Sequence, residues 1–142
     1  MTWATDHLDR IKAGTSTLPP VVETMKLGRL DDWGEGWARK RWTSSPEILN
    51  SDGSMFGGYI AALADQILAF AAMSTLPEGC AMRTTNLQIQ FLKLSRGAPL
   101  VIEARVIAQS KQTIAVEAEI RSETGDLVVK ASALQVITPS RM

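Results

Sequence analysis

The stretch spanning residues 57–75, GGYIAALADQILAFAAMST, decides how this chain folds. Its apolar residues fall on every side of a helix, and a helix that is apolar all round is buried rather than laid on a surface. Gly57-Gly58 opens it, and Pro77 and Gly79 end it. Asp65 and Gln66 interrupt it, and it is rich in Ala and Gly. It is therefore a poor membrane span and a good core helix.

Downstream of this helix four segments alternate with period two. In 84–92, Leu87, Ile89 and Phe91 alternate with Asn86, Gln88 and Gln90. In 99–109, Leu100, Ile102, Ala104 and Val106 alternate with Glu103 and Arg105. In 112–121, Ile114, Val116, Ala118 and Ile120 alternate with Thr113, Glu117, Glu119 and Arg121. In 126–137, Leu127, Val129, Ala131 and Ala133 make one face, and Lys130, Ser132 and Gln135 are assigned to the other. This pattern predicts half-buried antiparallel strands. Short turns at 95–97, 109–111 and 123–126 join them.

Upstream, TDHLDRIKA at 5–13 predicts a short helix with Thr5 as N-cap and Gly14 after the last turn. Residues 14–20 read as a loop ending in Pro19-Pro20. Strands are expected at 22–31 and 36–43, joined across DDWGEG at 31–36. Residues 44–58 are irregular, with turn formers from Asn50 to Gly53. One flat sheet cannot enclose a helix, so a strongly curved antiparallel sheet must wrap it. The outer face and edges of such a sheet invite a second subunit. The fold class is thus α+β, one long buried helix inside a curved sheet, with a short N-terminal helix. Residues 1–20 hold that helix and loop, and 21–142 a single domain.

Composition narrows the chemistry. The chain has 142 residues, 15 Lys and Arg against 15 Asp and Glu, one histidine (His7) and one cysteine (Cys80). Zero net charge gives no general attraction to nucleic acid. One Cys and one His cannot build a zinc site of the usual kind, so no metal is expected. A nucleophile–histidine enzyme would have to use His7. One cysteine makes no internal disulfide, and the first residues lack the apolar core of a secretory signal. A soluble cytoplasmic protein is expected.

Asp65 carries the most information. Between Met55 and Met82 there are 28 residues and only two charges, Asp65 and Glu78. Asp65 lies too far into the helix to cap it, and an unpaired buried carboxylate is costly. It is therefore either a catalytic carboxylate or a structural one bonded to backbone or a neighbouring subunit. Gly57-Gly58 places a bare helix N-terminus where a ligand oxygen could approach, or is simply a Gly-rich turn. Asn50 could orient a water or carbonyl, or build an Asx-turn. Of Thr84 and Thr85, one hydroxyl faces the helix and the other away. WARKRW at 37–42 reads as a solvated strand, and Arg83, Lys93, Arg96 and Lys111 as scattered basic residues near turns. Cys80 reads as packing.

Taken together, these residues resemble the hotdog-fold thioesterases, in particular the PaaI-like acyl-CoA thioesterase branch. That branch carries Asn, two residues, Gly, two residues, His-Gly-Gly, then a helix with Asp. Here the stretch is NSDGSMFGG from Asn50 to Gly58, followed by YIAALAD ending at Asp65. Asn86 and the residues after it, and the segment from Gly125, add to a likeness over about 35–137. The resemblance implies hydrolysis of an acyl-CoA at a dimer interface. The Gly57 N–H would bind the thioester carbonyl, and Asp65 of the opposite subunit would act as base or nucleophile. Asn50 and Thr84 would help position carbonyl or water. Phe56, Gly58, Tyr59, Arg83 and Lys111 would contact substrate, with the acyl group in the apolar cleft beside the helix. It implies no metal, no cofactor beyond the coenzyme A of the substrate, no nucleic-acid or membrane partner, and a homodimer or dimer-of-dimers.

The departure from the pattern is Phe56, where the family commonly has histidine; an aromatic ring there cannot polarise the thioester. The alternative it motivates is a non-catalytic acyl-CoA or acyl-carrier binding protein on the same fold. A hotdog dehydratase would need a catalytic histidine and has only His7. A DNA-binding sensor would need an added helix-turn-helix, for which the chain has no room.

Overall fold

Thr2 opens the first helix, α1 (Trp3–Ala13), through a capping box. Its hydroxyl accepts from the Thr5 N–H at 3.1 Å, and Thr5 Oγ1 accepts from the Thr2 N–H at 3.0 Å. Thr5 is therefore the third helical residue and not the expected cap. Gly14 closes α1 at φ 75, a left-handed turn that favours glycine. The computed structural model describes residues 2–140. Met1, Arg141 and Met142, at the ends of the two expected segments, lie outside the described residues.

The strand expected at 22–31 does not form. Proline at the first helical position has its φ already set for a helix, and Pro20 starts a single turn, α2 (Pro20–Thr24). Lys26 at φ 55 and Gly28 at φ 78 then rule out extended backbone. Three successive carbonyls of this strap are held by side chains from the elements beneath it. Lys26 O accepts from the Trp42 indole at 3.0 Å and the Tyr59 hydroxyl at 2.9 Å. Leu27 O accepts from Lys40 Nζ at 2.7 Å, and Gly28 O from Gln66 Nε2 at 3.0 Å.

Six strands form one antiparallel sheet: β1 (Asp32–Gly34), β2 (Trp37–Trp42), β3 (Cys80–Phe91), β4 (Leu100–Gln109), β5 (Thr113–Ser122) and β6 (Leu127–Pro139). Their order is β1-β2-β4-β5-β6-β3. The central helix is α3 (Gly57–Met73). The first strand after it, β3, crosses to the far edge and pairs only with β6. The segment expected as a strand from residue 84 begins at Cys80, so Thr84 lies inside the strand. The inward sets of β4 and β5 match the alternation: Ile102, Ala104, Ile114, Val116, Ala118 and Ile120 are all buried. Ala4, Leu8 and Ile11 of α1 join the same core.

The solvated reading of 37–42 holds on one face only. Arg39 and Arg41 point outward, but Lys40 is fully buried. Among the described residues its ammonium bonds only the Leu27 carbonyl and the Gln66 side chain. Burial pushes its pKa down to about 7, only partly opposed by the charge of Asp31. Between that value and the ordinary Lys value of 10.5, the unfolded chain holds a proton that the folded chain has released. Stability therefore rises with pH across that window and is level in this respect below it. Tyr59, raised by burial to about 12, acts in the opposite sense only above pH 10. The melting temperature should climb between pH 7 and 9.5, and Lys40→Met should flatten the climb. A wild-type profile already flat over that range would show that Lys40 keeps its charge when folded.

Candidate functional site

The central helix has an open face. Gly57, Ala61, Asp65 and Ala69 follow each other along one line of it at four-residue spacing and are each only half-buried, and Gly58, Ala62 and Gln66 are also not fully buried. Burial on every side is thus not achieved, because β3 lies at the sheet's edge and does not cover this line. Asp65 occupies it, which spares a carboxylate full desolvation.

The N-terminus of α3 is uncapped. Phe56, at the cap position, offers no side-chain acceptor. The N–H groups of Tyr59 and Ile60 go to the Phe56 carbonyl at 3.1 Å each. Those of Gly57 and Gly58 have no acceptor among the described residues. They add to the partial positive charge of the helix end. Two rings explain the glycines. A Cβ on Gly57 would lie 3.2 Å from the Phe91 ring, and one on Gly58 would lie 2.6 Å from the Phe56 ring. The bare backbone of the first turn is bracketed by aromatic side chains.

Two turns further on, Asp65 Oδ1 accepts from the Thr84 hydroxyl at 3.3 Å. Thr85 turns the other way and bonds the Leu134 carbonyl. The Thr84 hydroxyl also lies 3.1 Å from Oε1 of Gln135, its partner across the β3–β6 ladder. Gln135 is 1% exposed and faces the helix together with Val129, Ala131 and Ala133. It does not lie on the polar face with Lys130 and Ser132, contrary to the expectation from the sequence. Alternation alone puts 129, 131, 133 and 135 on one side, and the exposed Leu134 beside it disguised the pattern. Among the described residues the buried Gln135 Nε2 has no hydrogen-bond partner, a state that costs about 1–3 kcal/mol for a typical buried donor.

The other expected site residues are spread out. Asn50 sits in the turn it shares with Ser54. Its amide donates to Ser54 Oγ at 3.0 Å, and its backbone N–H donates to Ser54 O at 2.7 Å. Asp52 accepts from the Ser54 hydroxyl, which holds its carboxyl below the usual range. Phe56, Gly58 and Tyr59 line a mostly apolar cavity of about 400 Å³ with Met25, Ile48 and Leu49. On the Gly57 side, Ile60, Phe91 and Leu92 line a second of about 320 Å³. Arg83 neighbours Thr84 but points to the opposite face of β3. Lys111 lies in the β4–β5 turn, whose neighbour Gln109 donates to the Thr75 carbonyl beyond the far end of α3. One chain therefore brings Asp65 and Thr84 together, and Phe56, Gly58 and Tyr59 together. It does not bring Lys111 to the helix N-terminus. Residue types gave no warning of Phe91 over Gly57; the odd-numbered alternation of 126–137 was the signal for Gln135.

Gly57 and Asp65 share one line but are eight residues apart, about 12 Å along the axis at the helical rise. A single thioester carbon cannot be reached from both within one chain. The strand beside this line is the open edge. From Arg83 to Gln88, β3 is exposed, and Phe91, Leu92 and Leu94 are 55%, 52% and 64% exposed. Its expected half-burial is not met within one chain. Among the described residues no group of three or more His, Cys, Asp or Glu side chains could hold a metal, and no helix is long and apolar enough to cross a membrane.

Several known proteins share this fold. A phenylacetic acid degradation-related protein of Ralstonia eutropha JMP134 is 25% identical, with a TM-score of 0.81 over 92% of this chain and 98% of that one. The acetyl-CoA-bound protein smu.793 of Streptococcus mutans is 26% identical, with a TM-score of 0.72 over 80% of this chain and 90% of that one. A thioesterase family protein of Silicibacter pomeroyi shares the fold at 18% identity, with a TM-score of 0.82 over 96% and 99% of the two chains. The family model of the thioesterase superfamily matches residues 52–129, from the turn before the uncapped helix to the start of β6. With the curved sheet around α3, that match over more than half of the chain places this protein in the thioesterase superfamily, as a hotdog-fold member.

Proposed function

We propose that the chain hydrolyses an acyl-CoA thioester to the free acid and coenzyme A, in the manner of the PaaI-like branch and as a dimer of identical subunits. The observation that carries this reading is the pairing of two half-sites on one line of α3. Gly57 and Gly58 present two free N–H donors, and Asp65 presents a carboxylate about 12 Å away by the helical rise. Each is incomplete alone. A two-fold related copy would set Asp65 of the partner subunit opposite the Gly57 donors. The thioester oxygen would then accept from the Gly57 N–H, where the helix end favours developing negative charge. Asp65 of the partner subunit would activate water or attack the carbonyl carbon. With its Oδ1 engaged by Thr84, Oδ2 is the oxygen left for that step. No cofactor beyond the coenzyme A of the substrate is called for. The similarity to an acetyl-CoA-bound protein and to a phenylacetic acid degradation-related protein supports the substrate class and the branch.

The register of the subunit contact follows from two side-chain contacts. Phe91 touches Gly57 and Thr84 touches Asp65. Bringing Asp65 of the partner subunit to Gly57 therefore means setting Thr84 of the partner subunit opposite Phe91. The bulge between Thr84 and Asn86 keeps both residues on the helix-facing side. The two-fold axis then passes at Gln88, with Ile89 opposite Leu87 of the partner subunit. Pairing at this edge would cover the apolar side chains of β3. It would also remove the aggregation hazard of a long open strand. The acyl group would enter the apolar cavity at Phe56 and Tyr59, and Arg83 and Lys111 would meet the nucleotide end of coenzyme A.

Thiol release from a panel of acyl-CoAs tests the chemistry. Wild type should turn over at least one member, and Asp65→Asn should lower kcat by at least about a hundredfold. Full activity in Asp65→Asn would sink the mechanism. Thermal stabilisation by acyl-CoA with no turnover of any member would instead favour the binding protein that Phe56 suggests. For the register, Gln88→Cys in a Cys80→Ser background should form a disulfide-linked dimer, since residues facing across a strand pair lie within disulfide reach. Gln90→Cys should stay unlinked. Cross-linking of Gln90→Cys but not Gln88→Cys would overturn this register.

A further inference from the structure

We infer that Gln135 is a positioning residue for Asp65, acting through the hydroxyl of Thr84; this rests on the reading of Asp65 as the catalytic carboxylate. The Thr84 hydroxyl has one hydrogen and two neighbouring acceptors, Asp65 Oδ1 at 3.3 Å and Gln135 Oε1 at 3.1 Å. It can donate to only one of them. Meanwhile the Gln135 Nε2, buried on the same side chain, has no partner among the described residues. A half-turn of the Gln135 amide resolves both conflicts. Nε2 then donates to Thr84 Oγ1, and the single hydroxyl hydrogen is committed to Asp65 Oδ1. The atom left without a partner becomes a carbonyl oxygen, which proteins tolerate better than a buried N–H.

The backbone fixes the donor in place. Gln135 is held in ladders on both sides, opposite Thr84 on β3 and Ile114 on β5. A glutamine fully buried on an otherwise aliphatic strand face is costly unless its amide is used. The chain Gln135–Thr84–Asp65 uses it. The hydroxyl loses its choice of acceptor, and the Asp65 carboxylate is held by one oxygen with the other free for the thioester or its water.

The test compares Gln135→Met, which keeps the shape and removes the donor, in wild-type and Thr84→Val backgrounds. On the best acyl-CoA substrate, Gln135→Met should lower kcat about tenfold, the scale of one hydrogen bond, with KM changed less than twofold. In the Thr84→Val background the same change should have no further effect. Thr84→Ser should restore the sensitivity. A merely structural Gln135 would lower the melting temperature equally in both backgrounds and leave kcat alone. Wild-type kcat in Gln135→Met, or an equal loss in both backgrounds, would overturn the inference even where Asp65→Asn is inactive. Full activity in Asp65→Asn would instead remove the reading on which it rests. A second readout needs no turnover: the side-chain amide resonances of Gln135 should shift in both Thr84→Val and Asp65→Asn. If neither variant moves them, the relay does not exist.

Discussion

Enclosing one apolar helix in one curved sheet is the constraint on which the rest of this structure depends. A sheet of six strands reaches around α3 from β2 through β6 and leaves the line Gly57–Ala61–Asp65–Ala69 half-open. The N-terminal segment covers other parts of the helix, with α1 joining the same core and the strap at 26–28 tied down by Trp42, Tyr59, Lys40 and Gln66. That line is therefore a place where a carboxylate in the helix can exist without full desolvation. It is also where the bare first turn of the helix meets solvent. The site is thus a product of incomplete wrapping.

That gap borders the one long strand with little of its surface covered. Placing β3 at the edge, next to β6 and away from its sequence neighbour β4, costs a long crossover and leaves unpaired backbone. On the outer face of the sheet charges pair with one another, Arg121 with Glu119, Lys130 with Glu117 and Glu119, Arg105 with Glu103, around the exposed Ile107. Apolar side chains are also left open at Phe91, Leu92 and Leu94, beside Gly57. On the proposed reading, association at this edge would cover those side chains and complete the two half-sites.

Much of the architecture was readable in the residues, for identifiable reasons. The helix stood out because a long run nearly without charge favours burial, and β4 and β5 because their alternation is clear, in β4 as far as the bulge after Val106. The errors share a cause, which is that residue type outweighed position. Val21 and Val22 suggested a strand, but proline at the first helical position started a turn. Thr2 and Thr5 both have capping hydroxyls, and only the backbone decides which is the cap. Lys40 on a basic, aromatic strand looked solvated, yet it is at an inward position. Gln135 looked outward because the apolar Leu134 beside it is the residue that faces out. Within the site, Asp65, Thr84 and the glycines could be singled out from the sequence. The rings that bracket the glycines could not, because Phe91 reaches Gly57 only through the fold.

The replacement of the family's histidine by Phe56 changes where the electrostatic work falls on the proposed reading. An imidazole could share the polarisation of the thioester carbonyl; a phenyl ring donates nothing. What remains at the carbonyl is backbone alone, the N–H groups of Gly57 and Gly58 at the positive end of α3. Donors of this kind are worth about 3–4 kcal/mol each when aimed at a developing oxyanion in a water-excluded site, and far less in water. The Phe56 ring lies over Gly58 and the Phe91 ring over Gly57, and both rings are 55% exposed. On the proposed reading, water is therefore shut out from these two donors only when substrate and the partner subunit are in place. On the same reading the burden of orientation would shift to the carboxylate, and the hydroxyl and amide behind Asp65 would carry more weight than in a site that keeps its histidine.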